Sequence, residues 1–362
     1  MKKVLIVFNH PAPYKVRLFN ELAKTMDLSV IFERGHNKNR SSAFYSETDF
    51  KFNLIKVCGL KIGDENFVSS AVKNHIKKNK YDLIVMNGYS QFAEMKAIRF
   101  MQKHEIPYAL FINGGIINSD ESNWKKNLKT SYISKAKFYL SPDVESNKYL
   151  TYYGAKESAI FNYPYSTVYN HEIAEKQLDK EEKILLREKY QIEGEKVFVS
   201  AGQLIKRKNY QTLIESWKDM PKDHHLYIFG DGKEHAKYSK IIEDLQVKNV
   251  HLRSFLPKQD LFNIFKVADV FIFPSNEDIY GHVINESLSQ GLPVISNLNV
   301  NSAKKLLSEK TGVLTNDFSA SNILACLKKI EEHSSFKSCT DVAKQNTIEK
   351  MSESISKILL EN

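Results

Sequence analysis

The sequence predicts an α/β chain of two domains, each built on a parallel β-sheet. Short apolar strands alternate with helices in two successive rounds, and this alternation is typical of parallel sheets covered on both faces. A polar stretch that contains Pro164 separates the two rounds. The 362 residues also exceed the roughly 250–300 that one hydrophobic core usually holds. We therefore expect a first domain over residues 1–165, a second over 166–336 and a C-terminal helix over 337–362.

The first round consists of short apolar strands, each followed by a helix. The predicted strands are VLIVF, LSVIFE, LIVMN, YALFI, FYLSP and AIFN. Helices are predicted to begin near Val16, Asn66, Gln91, Trp124 and Glu145. The stretch NYPYSTVYNHEIAEKQLDKEEK then interrupts the alternation, and we interpret it as the linker between the domains.

The second round repeats the alternation after the linker. Its predicted strands are KVFVSAG, HLYIFG, NVHLRSF, VFIFP, PVIS and GVL. Its helices are expected to begin near Tyr210, Glu234, Pro257, Gly281 and Ser319. The loops at the carboxyl ends of parallel strands are where such sheets bind ligands.

Positive charge is concentrated in the first half of the chain. Residues 1–165 carry 25 Lys and Arg against 15 Asp and Glu, whereas the remainder carries 27 against 28. A one-sided basic surface favours an anionic partner, either acidic lipid or a phosphorylated substrate. The Lys-rich segments lie on predicted helices without zinc-finger spacing or an RNP-type strand, so we expect no nucleic acid. An ordinary solvated helix face is the alternative for these lysines.

Apolar runs and cysteines indicate a cytoplasmic protein. No run of about 18 apolar residues is present, and the start MKKVLIVFNHPAPYK is too short and too soon interrupted by Pro for a secretion signal. Cys58, Cys326 and Cys339 are too few and too scattered for a disulfide framework or a zinc site.

Residues 274–296, PSNEDIYGHVINESLSQGLPVIS, combine groups suited to a phosphorylated polyol. A helix beginning near Gly281 directs free N–H groups and roughly half a positive charge toward whatever lies before it. Asp278 and Glu286 are eight residues apart across the start of this helix, so their carboxylates reach hydroxyls on either side. Helix caps are the simpler alternative for such carboxylates.

The same segment closely resembles the donor-binding motif of the retaining family-4 (group 1) glycosyltransferases of GT-B fold. In that family two Glu residues with seven residues between them precede a small-residue helix and a Gly-x-Pro-Val-Ile strand. Asp278 takes the first Glu position here, with Glu277 beside it. The remaining matches are Tyr280, Gly281, Glu286, Gly291, Pro293, Val294 and Ile295. The resemblance implies two Rossmann-like domains that face each other across a cleft, with the C-terminal helix packed back on the first domain.

A second motif, SAGQLIKRKNYQTLIESW at residues 200–217, follows a strand and opens a helix. It resembles the family's Gly-Arg-Leu motif, in which an Arg and a later Lys contact the donor diphosphate. Lys208 occupies the Lys position, whereas Gln203 replaces the Arg, and we expect Arg207 to substitute for it. HLYIFGDGKEH is similar to the family's strand followed by Gly-Asp-Gly, and the loop near Ser254 and Phe255 corresponds to the one close to the base. The resemblance thus implies a donor site formed by Gln203, Arg207, Lys208, Gly230, Asp231, Gly232, Ser254, Phe255, Glu277, Asp278, Tyr280, Gly281, His282, Val283 and Glu286.

The first half is expected to bind the acceptor. HPAPYKVRLFNEL joins the first strand to the first helix, and Tyr14, Lys15 and Arg17 are placed to point into the cleft. FINGGII ends another strand at the same edge, and its Asn113, Gly114 and Gly115 lie where many relatives have a His beside the reacting sugar.

The resemblance also implies the roles of the catalytic residues Asp278, Lys208 and Glu286. Lys208, with Arg207 and the Gly281 helix, would stabilise the leaving diphosphate, Glu286 would hold the ribose, and Asp278 a sugar hydroxyl. A retaining enzyme of this kind needs no side-chain nucleophile, because the diphosphate helps to deprotonate the acceptor. We expect no cofactor and no metal, since no Asp-x-Asp triplet occurs.

We therefore predict a retaining hexosyltransferase that moves a sugar from a nucleotide sugar to a lipid-linked or cell-surface glycan of capsule, exopolysaccharide, lipopolysaccharide or teichoic acid type. We expect it in the cytoplasm, peripheral on the inner face of the cell membrane. Two alternatives remain open. One is a nucleotide-sugar epimerase or hydrolase on the same fold. The other is a non-catalytic nucleotide- or glycan-binding protein.

Overall fold

The first half of the chain forms a parallel sheet, as the alternation predicts. The computed structural model describes residues 1–33, 49–57, 59–62, 66–118 and 120–362. The elements of this half are β1 (Lys3–Phe8), α1 (Pro13–Leu22), β2 (Asp27–Phe32), β3 (Asn53–Lys56), β4 (Leu60–Ile62), β5 (Asn66–Val68), α2 (Ala71–Lys78), β6 (Leu83–Met86), α3 (Phe92–Lys103), β7 (Tyr108–Phe111), α4 (Asn123–Ile133), β8 (Tyr139–Ser141), α5 (Val144–Tyr152) and β9 (Ile160–Asn162). Seven strands pair in the order β3-β2-β1-β6-β7-β8-β9, while β4 and β5 form an antiparallel hairpin.

The second half repeats this architecture. Its elements are α6 (Lys180–Tyr190), β10 (Lys196–Ala201), α7 (Tyr210–Ser216), β11 (His224–Phe229), α8 (His235–Asp244), β12 (Val250–Arg253), α9 (Lys258–Val267), β13 (Val270–Phe273), α10 (His282–Ser289), β14 (Val294–Ser296), α11 (Asn301–Leu306), β15 (Gly312–Leu314), α12 (Ala320–His333), α13 (Phe336–Lys344) and α14 (Ile348–Glu361). Six parallel strands pair in the order β12-β11-β10-β13-β14-β15.

Each sheet is covered by helices on both faces, which explains why its strands are almost continuously apolar. In β1 the five residues from Val4 to Phe8 are buried, and in β13 all four residues are buried. Clusters of aliphatic and aromatic side chains fill the space between sheet and helices in each half. Burial on both faces removes the polar alternation that a one-sided sheet would show.

Residues 1–165 and 348–362 form one compact unit, and residues 166–347 form another. The single helix expected over residues 337–362 is instead two helices, α13 and α14. Helix α13 packs against α10 in the second unit, and α14 packs against α1 in the first. Asn346 lies between the two helices, and its side-chain Nδ2 donates to the carbonyl of Val342, near the end of α13, at 2.9 Å.

Three other predictions needed correction. The helix expected near Asn66 begins at Ala71, because Asn66–Val68 pairs as a hairpin strand. Strand β3 was not predicted. The expected linker contains α6, whose start is stabilised by reciprocal hydrogen bonds between Asp179 and Glu182.

Cys326 and Cys339 are buried free thiols, and Cys58 lies outside the described residues. Within the described ranges, no helix has the length and apolar character needed to cross a membrane.

The strand order locates the ligand-binding edge of each sheet. It reverses direction between β1 and β6 in the first unit and between β10 and β13 in the second. Loops that leave adjacent strands at such a reversal diverge and open a crevice at the carboxyl ends. The loops after β10 and β13 contain Lys208 and Asp278, so the topology brings these two motifs together.

Candidate functional site

The loops after β10 and β13 are held together by their backbones. Residues Lys206–Lys208 form one 3₁₀ turn, and Asn209 adopts a left-handed conformation (φ 57°) before α7 begins. The Asn276 N–H donates to the Arg207 carbonyl at 2.9 Å, and the Ser275 hydroxyl donates to the same carbonyl at 3.2 Å. These bonds fix the position of the cationic turn against the acidic loop.

Asp278 is the centre of an ion cluster with Lys208 and Arg207. Its Oδ2 accepts a short hydrogen bond from Lys208 Nζ and lies 3.3 Å from Arg207 Nη1. Arg207 also donates to the Glu277 carbonyl at 3.0 Å. The Lys208 side chain is only 9% exposed and Asp278 14%, whereas Arg207 is 45% exposed. Lys208 further lies 4.3 Å from the centre of the Phe273 ring.

The cluster keeps Asp278 ionised. Burial by itself would raise the pKa of Asp278, but the attraction and hydrogen bond of Lys208 outweigh it, with help from Arg207 and the Tyr280 N–H at 3.3 Å. The pKa of Asp278 therefore lies below its ordinary value. Two cations and one carboxylate leave the cluster with a net positive charge beside the start of α10.

Gly281 is the N-cap of α10 and can only be glycine without rearrangement. Its φ is +89°, and a Cβ would lie 2.9 Å from Val300 Cγ1. The Ser302 hydroxyl donates to the Gly281 carbonyl at 2.9 Å, and its N–H donates to the Tyr280 carbonyl at 2.8 Å. The first turn of α11 thus supports the start of α10, a contact that the sequence did not suggest.

Glu286 lies one turn into α10 and is half-buried. The Thr167 hydroxyl donates to its Oε1 at 2.7 Å, while its neighbour Asn285 donates to Ser166 Oγ at 2.9 Å. Thr167 lies in the stretch interpreted as a linker, so sequence reasoning missed it. This bond orients one carboxylate oxygen of Glu286.

Gly230 and Gly232 are required by contacts between loops. A Cβ on Gly230 would lie 1.9 Å from the Gly202 carbonyl oxygen, and one on Gly232 would lie 2.4 Å from that of Leu204. The Leu204 N–H donates to the Asp231 carbonyl at 2.9 Å. These glycines therefore let the loops after β10 and β11 pack backbone to backbone.

The other predicted donor residues differ in exposure and are not bonded to this centre. Gln203 is half-buried, whereas Asp231, Ser254 and Phe255 are exposed. Within the ranges that the structure describes, no hydrogen bond or ion pair joins these four residues to Asp278. His282 and Val283 are half-buried in the first turn of α10, and the buried Tyr280 ring contacts the His282 ring at 4.9 Å.

The predicted acceptor residues lie at the carboxyl edge of the first unit's sheet. Tyr14 and Arg17 are half-buried on α1, and Asn113 follows β7. Lys15 was expected to point into a cleft, but it is fully buried, and burial lowers its pKa well below the ordinary value.

The glycines beside Asn113 have different structural roles. Gly114 has a φ of +137°, which favours glycine. A Cβ on Gly115 would lie 2.4 Å from Tyr149 Cγ, so Gly115 permits the close packing of this ring.

Comparison with known proteins shows which family the second half of the chain resembles. Residues 182–358 match the model of the glycosyl transferases group 1. The chain is 35% identical over 100 residues to the lipopolysaccharide core biosynthesis glycosyltransferase LpsE of Rhizobium meliloti, a match that spans 28% of this chain and 29% of LpsE. It is 25% identical over 279 residues to a 41.2 kDa protein in the cps region of Klebsiella pneumoniae, spanning 75% of each chain.

A solved structure extends the likeness to the whole fold. HepE of Anabaena, solved in complex with UDP, superposes with a TM-score of 0.79 at 14% identity and covers 99% of this chain and 100% of its own. It has also been solved with UDP-glucose. The two Rossmann-like units are thus those of the GT-B fold, and residues 182–358 are similar to the group 1 glycosyl transferases.

Proposed function

We propose that this protein transfers a sugar from a nucleotide-sugar donor to a lipid-linked or cell-surface glycan, with retention of anomeric configuration. The observation that carries the proposal is the ion cluster of Lys208, Arg207 and Asp278 beside the start of α10. Cations and free helix N–H groups are suited to a diphosphate, which carries charge and needs several donors. The similarity of residues 182–358 to the group 1 glycosyl transferases supports the same chemistry.

Asp278 acts as the counter-ion of Lys208 until the donor binds. Burying an ammonium group without an ion-pair partner costs free energy, and Asp278 is the partner of Lys208. A phosphate oxygen of the donor can replace the Asp278 carboxylate in this pair. Arg207 is half-exposed, so it can turn toward the diphosphate at little cost. Lys208 would then contact the diphosphate, and Asp278 would be released to accept a hydrogen bond from a sugar hydroxyl.

In the reaction, the bond between the anomeric carbon and the diphosphate oxygen breaks while the acceptor oxygen bonds to the same face of that carbon. The acceptor hydroxyl proton passes to the departing diphosphate oxygen. Negative charge grows on the diphosphate, so Lys208, Arg207 and the N–H groups of α10 stabilise the transition state more than the ground state. Glu286, oriented by Thr167, would accept hydrogen bonds from the ribose hydroxyls.

Thermal denaturation in the presence of UDP-, GDP- and ADP-sugars tests the donor. HepE has been solved with UDP, which makes UDP-sugars the first choice. The proposal requires stabilisation by a nucleotide sugar and transfer to an added glycan acceptor. Donor turnover without any acceptor would instead favour an epimerase or hydrolase. Binding without transfer to any acceptor would favour a non-catalytic binding protein.

We further propose that the acceptor is an envelope glycan presented at an anionic membrane. LpsE takes part in lipopolysaccharide core biosynthesis, which supports an envelope acceptor. The lysines proposed to face the membrane are Lys73, Lys77, Lys78, Lys125, Lys126 and Lys129. Beside them on α4, Trp124 is 64% exposed, as suits a residue at a lipid surface. Lys129 is paired with Glu121 at 2.8 Å, so it would contribute less than the others.

Sedimentation with lipid vesicles tests this docking. Each free lysine near acidic lipid contributes about 1 kcal/mol, and salt screens the attraction within about 8 Å. Binding to phosphatidylglycerol vesicles should vanish with phosphatidylcholine, at high salt, and when the six lysines are changed to Gln. Binding that is indifferent to lipid charge would contradict the proposal. A folded Lys→Gln variant that still transfers sugar to a soluble acceptor would show that docking and catalysis are separable.

A further inference from the structure

Lys15 lies in a fully buried chamber of the first unit whose walls are aromatic. Its Nζ is 4.4 Å from the ring centre of Phe111, 4.6 Å from that of Tyr165 and 4.8 Å from that of Phe8. Cation–π attraction offsets part of the cost of burying the amine. Because Lys15 has no exposed surface, it can act on a ligand only through its neighbours.

The neighbour that matters is Asn113. Lys15 Nζ donates to Asn113 Oδ1 at 2.7 Å, and the Tyr165 hydroxyl donates to the same oxygen at 3.0 Å. The Asn113 Nδ2 in turn donates to Asn87 Oδ1 at 2.8 Å. Asn87 is fixed by its own N–H, which donates to the Val7 carbonyl at 2.9 Å. The side chains thus form a relay from Lys15 through Asn113 to Asn87.

The two donors on Asn113 Oδ1 set the direction of this relay. The oxygen and nitrogen of an amide side chain have nearly the same shape, but only the oxygen accepts, and both Lys15 Nζ and the Tyr165 hydroxyl donate to it. Asn113 must therefore turn its oxygen toward Lys15 and its nitrogen toward Asn87. Asn87 must then accept with its oxygen, which leaves its Nδ2 as a donor on the opposite side of the amide.

The relay ends at the ligand-binding edge of the sheet. Asn87 directly follows β6, and Lys15 lies on α1 after β1, the two strands between which the strand order reverses. Asn87 and Asn113 are both half-buried, so each residue is partly exposed at this edge.

We infer that Lys15 is a positioning residue that makes Asn87 and Asn113 present N–H donors at the reversal point, where they bind an oxygen atom of the acceptor glycan. This inference rests on the proposed function, since it assigns the acceptor to this edge. The donors are neutral amides, so the chemistry suits a hydroxyl or carbonyl oxygen of a sugar.

Asn113→Asp is the sharpest test because it should reverse the relay without weakening the fold. The carboxylate still accepts from Lys15 and Tyr165, but it can no longer donate to Asn87. Asn87 would turn around and present an oxygen. We expect an unchanged or higher melting temperature and unchanged UDP affinity. The KM for p-nitrophenyl glycosides of glucose, galactose or N-acetylglucosamine should rise about fivefold to tenfold, as for one lost hydrogen bond, with kcat little changed.

Two further variants separate a directing role from a structural one. Lys15→Met keeps the volume of the chamber but removes the donor, so it should raise the same KM. The exposed Asn74→Asp adds the same charge change elsewhere in this unit and should leave KM unchanged. An Asn113→Asp protein with unaltered acceptor KM, or with UDP affinity lost in parallel, would overturn the inference.

Hydrogen exchange of the side-chain amide protons, measured by NMR, tests the direction of the relay without any substrate. In the wild type the Asn113 amide protons should exchange more slowly than those of Asn74, and Lys15→Met should abolish the difference. Equal exchange in the wild type, or no effect of Lys15→Met, would overturn the inference even if sugar transfer is observed. Absence of transfer by the wild type would count against the proposed function, while the amide measurement would still decide the direction of the relay.

Discussion

Replacing Asp278 by Asn separates its role as a counter-ion from its role toward the sugar. Asn keeps the shape of the side chain and still accepts a hydrogen bond from Lys208, but it removes the negative charge. Lys208 and Arg207 would then face an incoming diphosphate without a competing carboxylate. We expect Asp278→Asn to bind UDP at least as tightly as the wild type and to transfer sugar much more slowly.

The size of the effect follows from burial. Lys208 and Asp278 are 9% and 14% exposed, so their bond is a charge-assisted contact with little screening, worth about 1.5–3 kcal/mol. Arg207 is 45% exposed and contributes no more than about 1 kcal/mol. Lys208→Met should therefore destabilise the fold by about 2–3 kcal/mol, because it leaves a nearly buried carboxylate without its main partner.

Calorimetry with UDP and with the donor nucleotide sugar, combined with urea denaturation, measures both effects. Lys208→Met should weaken UDP binding about tenfold to a hundredfold, since a charge-assisted phosphate contact is lost. Asp278→Asn should spare UDP and impair the nucleotide sugar. The double variant should recover part of the stability lost in Lys208→Met, because the unpaired carboxylate is gone.

The reasoning would be refuted if Asp278→Asn lost UDP affinity as severely as Lys208→Met. Asp278 would then be an integral part of the nucleotide site, and its charge would not compete with the diphosphate. Arg207→Ala supplies the matched comparison. If it were silent while Gln203→Ala weakened UDP binding, Arg207 would not substitute for the arginine that Gln203 replaces.

Three further predictions concern other parts of the second unit. Glu286→Gln should weaken UDP and nucleotide-sugar binding alike by about tenfold in calorimetry, because the proposed partner is ribose; loss restricted to the nucleotide sugar would disprove that partner. Gly230→Ala should lower the free energy of unfolding in urea by about 2 kcal/mol or more, since its Cβ would meet a carbonyl oxygen at 1.9 Å; unchanged stability would exclude this packing role. Burial, with His225, lowers the pKa of His251 from 6.5 to about 4, so the unfolded chain binds a proton more readily than the folded one. The free energy of unfolding should therefore fall as the pH is lowered from about 6.5 to about 4. Allowing for partial exposure, we expect a loss of about 1.5 kcal/mol in urea denaturation, and His251→Gln should abolish this pH dependence.

The main elements of the fold were predictable because both sheets are buried on two faces. Continuous apolar runs such as those of β1 and β13 are typical of parallel strands buried on both faces. Strand β3 was missed because Asn53 and Lys56 are exposed and only its middle is apolar. Helix α6 was missed because no residue of it is buried, so its polar sequence resembles a linker. The Asp179 and Glu182 capping pair was the signal that could have found it.

The residues of the candidate site could be named from the sequence, but the contacts between them could not. The motifs contain Lys208 and Asp278, yet 70 positions separate them, and only the adjacency of β10 and β13 brings them together. No local sequence pattern predicts that pairing. The same limit applies to Thr167, whose bond to Glu286 depends on where the chain enters the second unit. It also applies to Lys15, because its polar neighbours Tyr14 and Arg17 in the sequence do not predict that it is fully buried.

The two buried lysines are held by different groups, which is why we assign a ligand to one and not to the other. Lys208 is held by the Asp278 carboxylate beside a half-exposed arginine, so an anion that enters can replace Asp278 as its partner, and Asp278 can then accept from a sugar hydroxyl in the proposed complex. Lys15 is held by aromatic rings and by the oxygen of a neutral amide, and in the described part of the chain no carboxylate pairs with it. Its effect can pass outward only as the orientation of Asn113 and Asn87. A carboxylate at position 113 should therefore still accept from Lys15 but no longer donate to Asn87, whereas an amide at position 278 should leave Lys208 better able to bind phosphate.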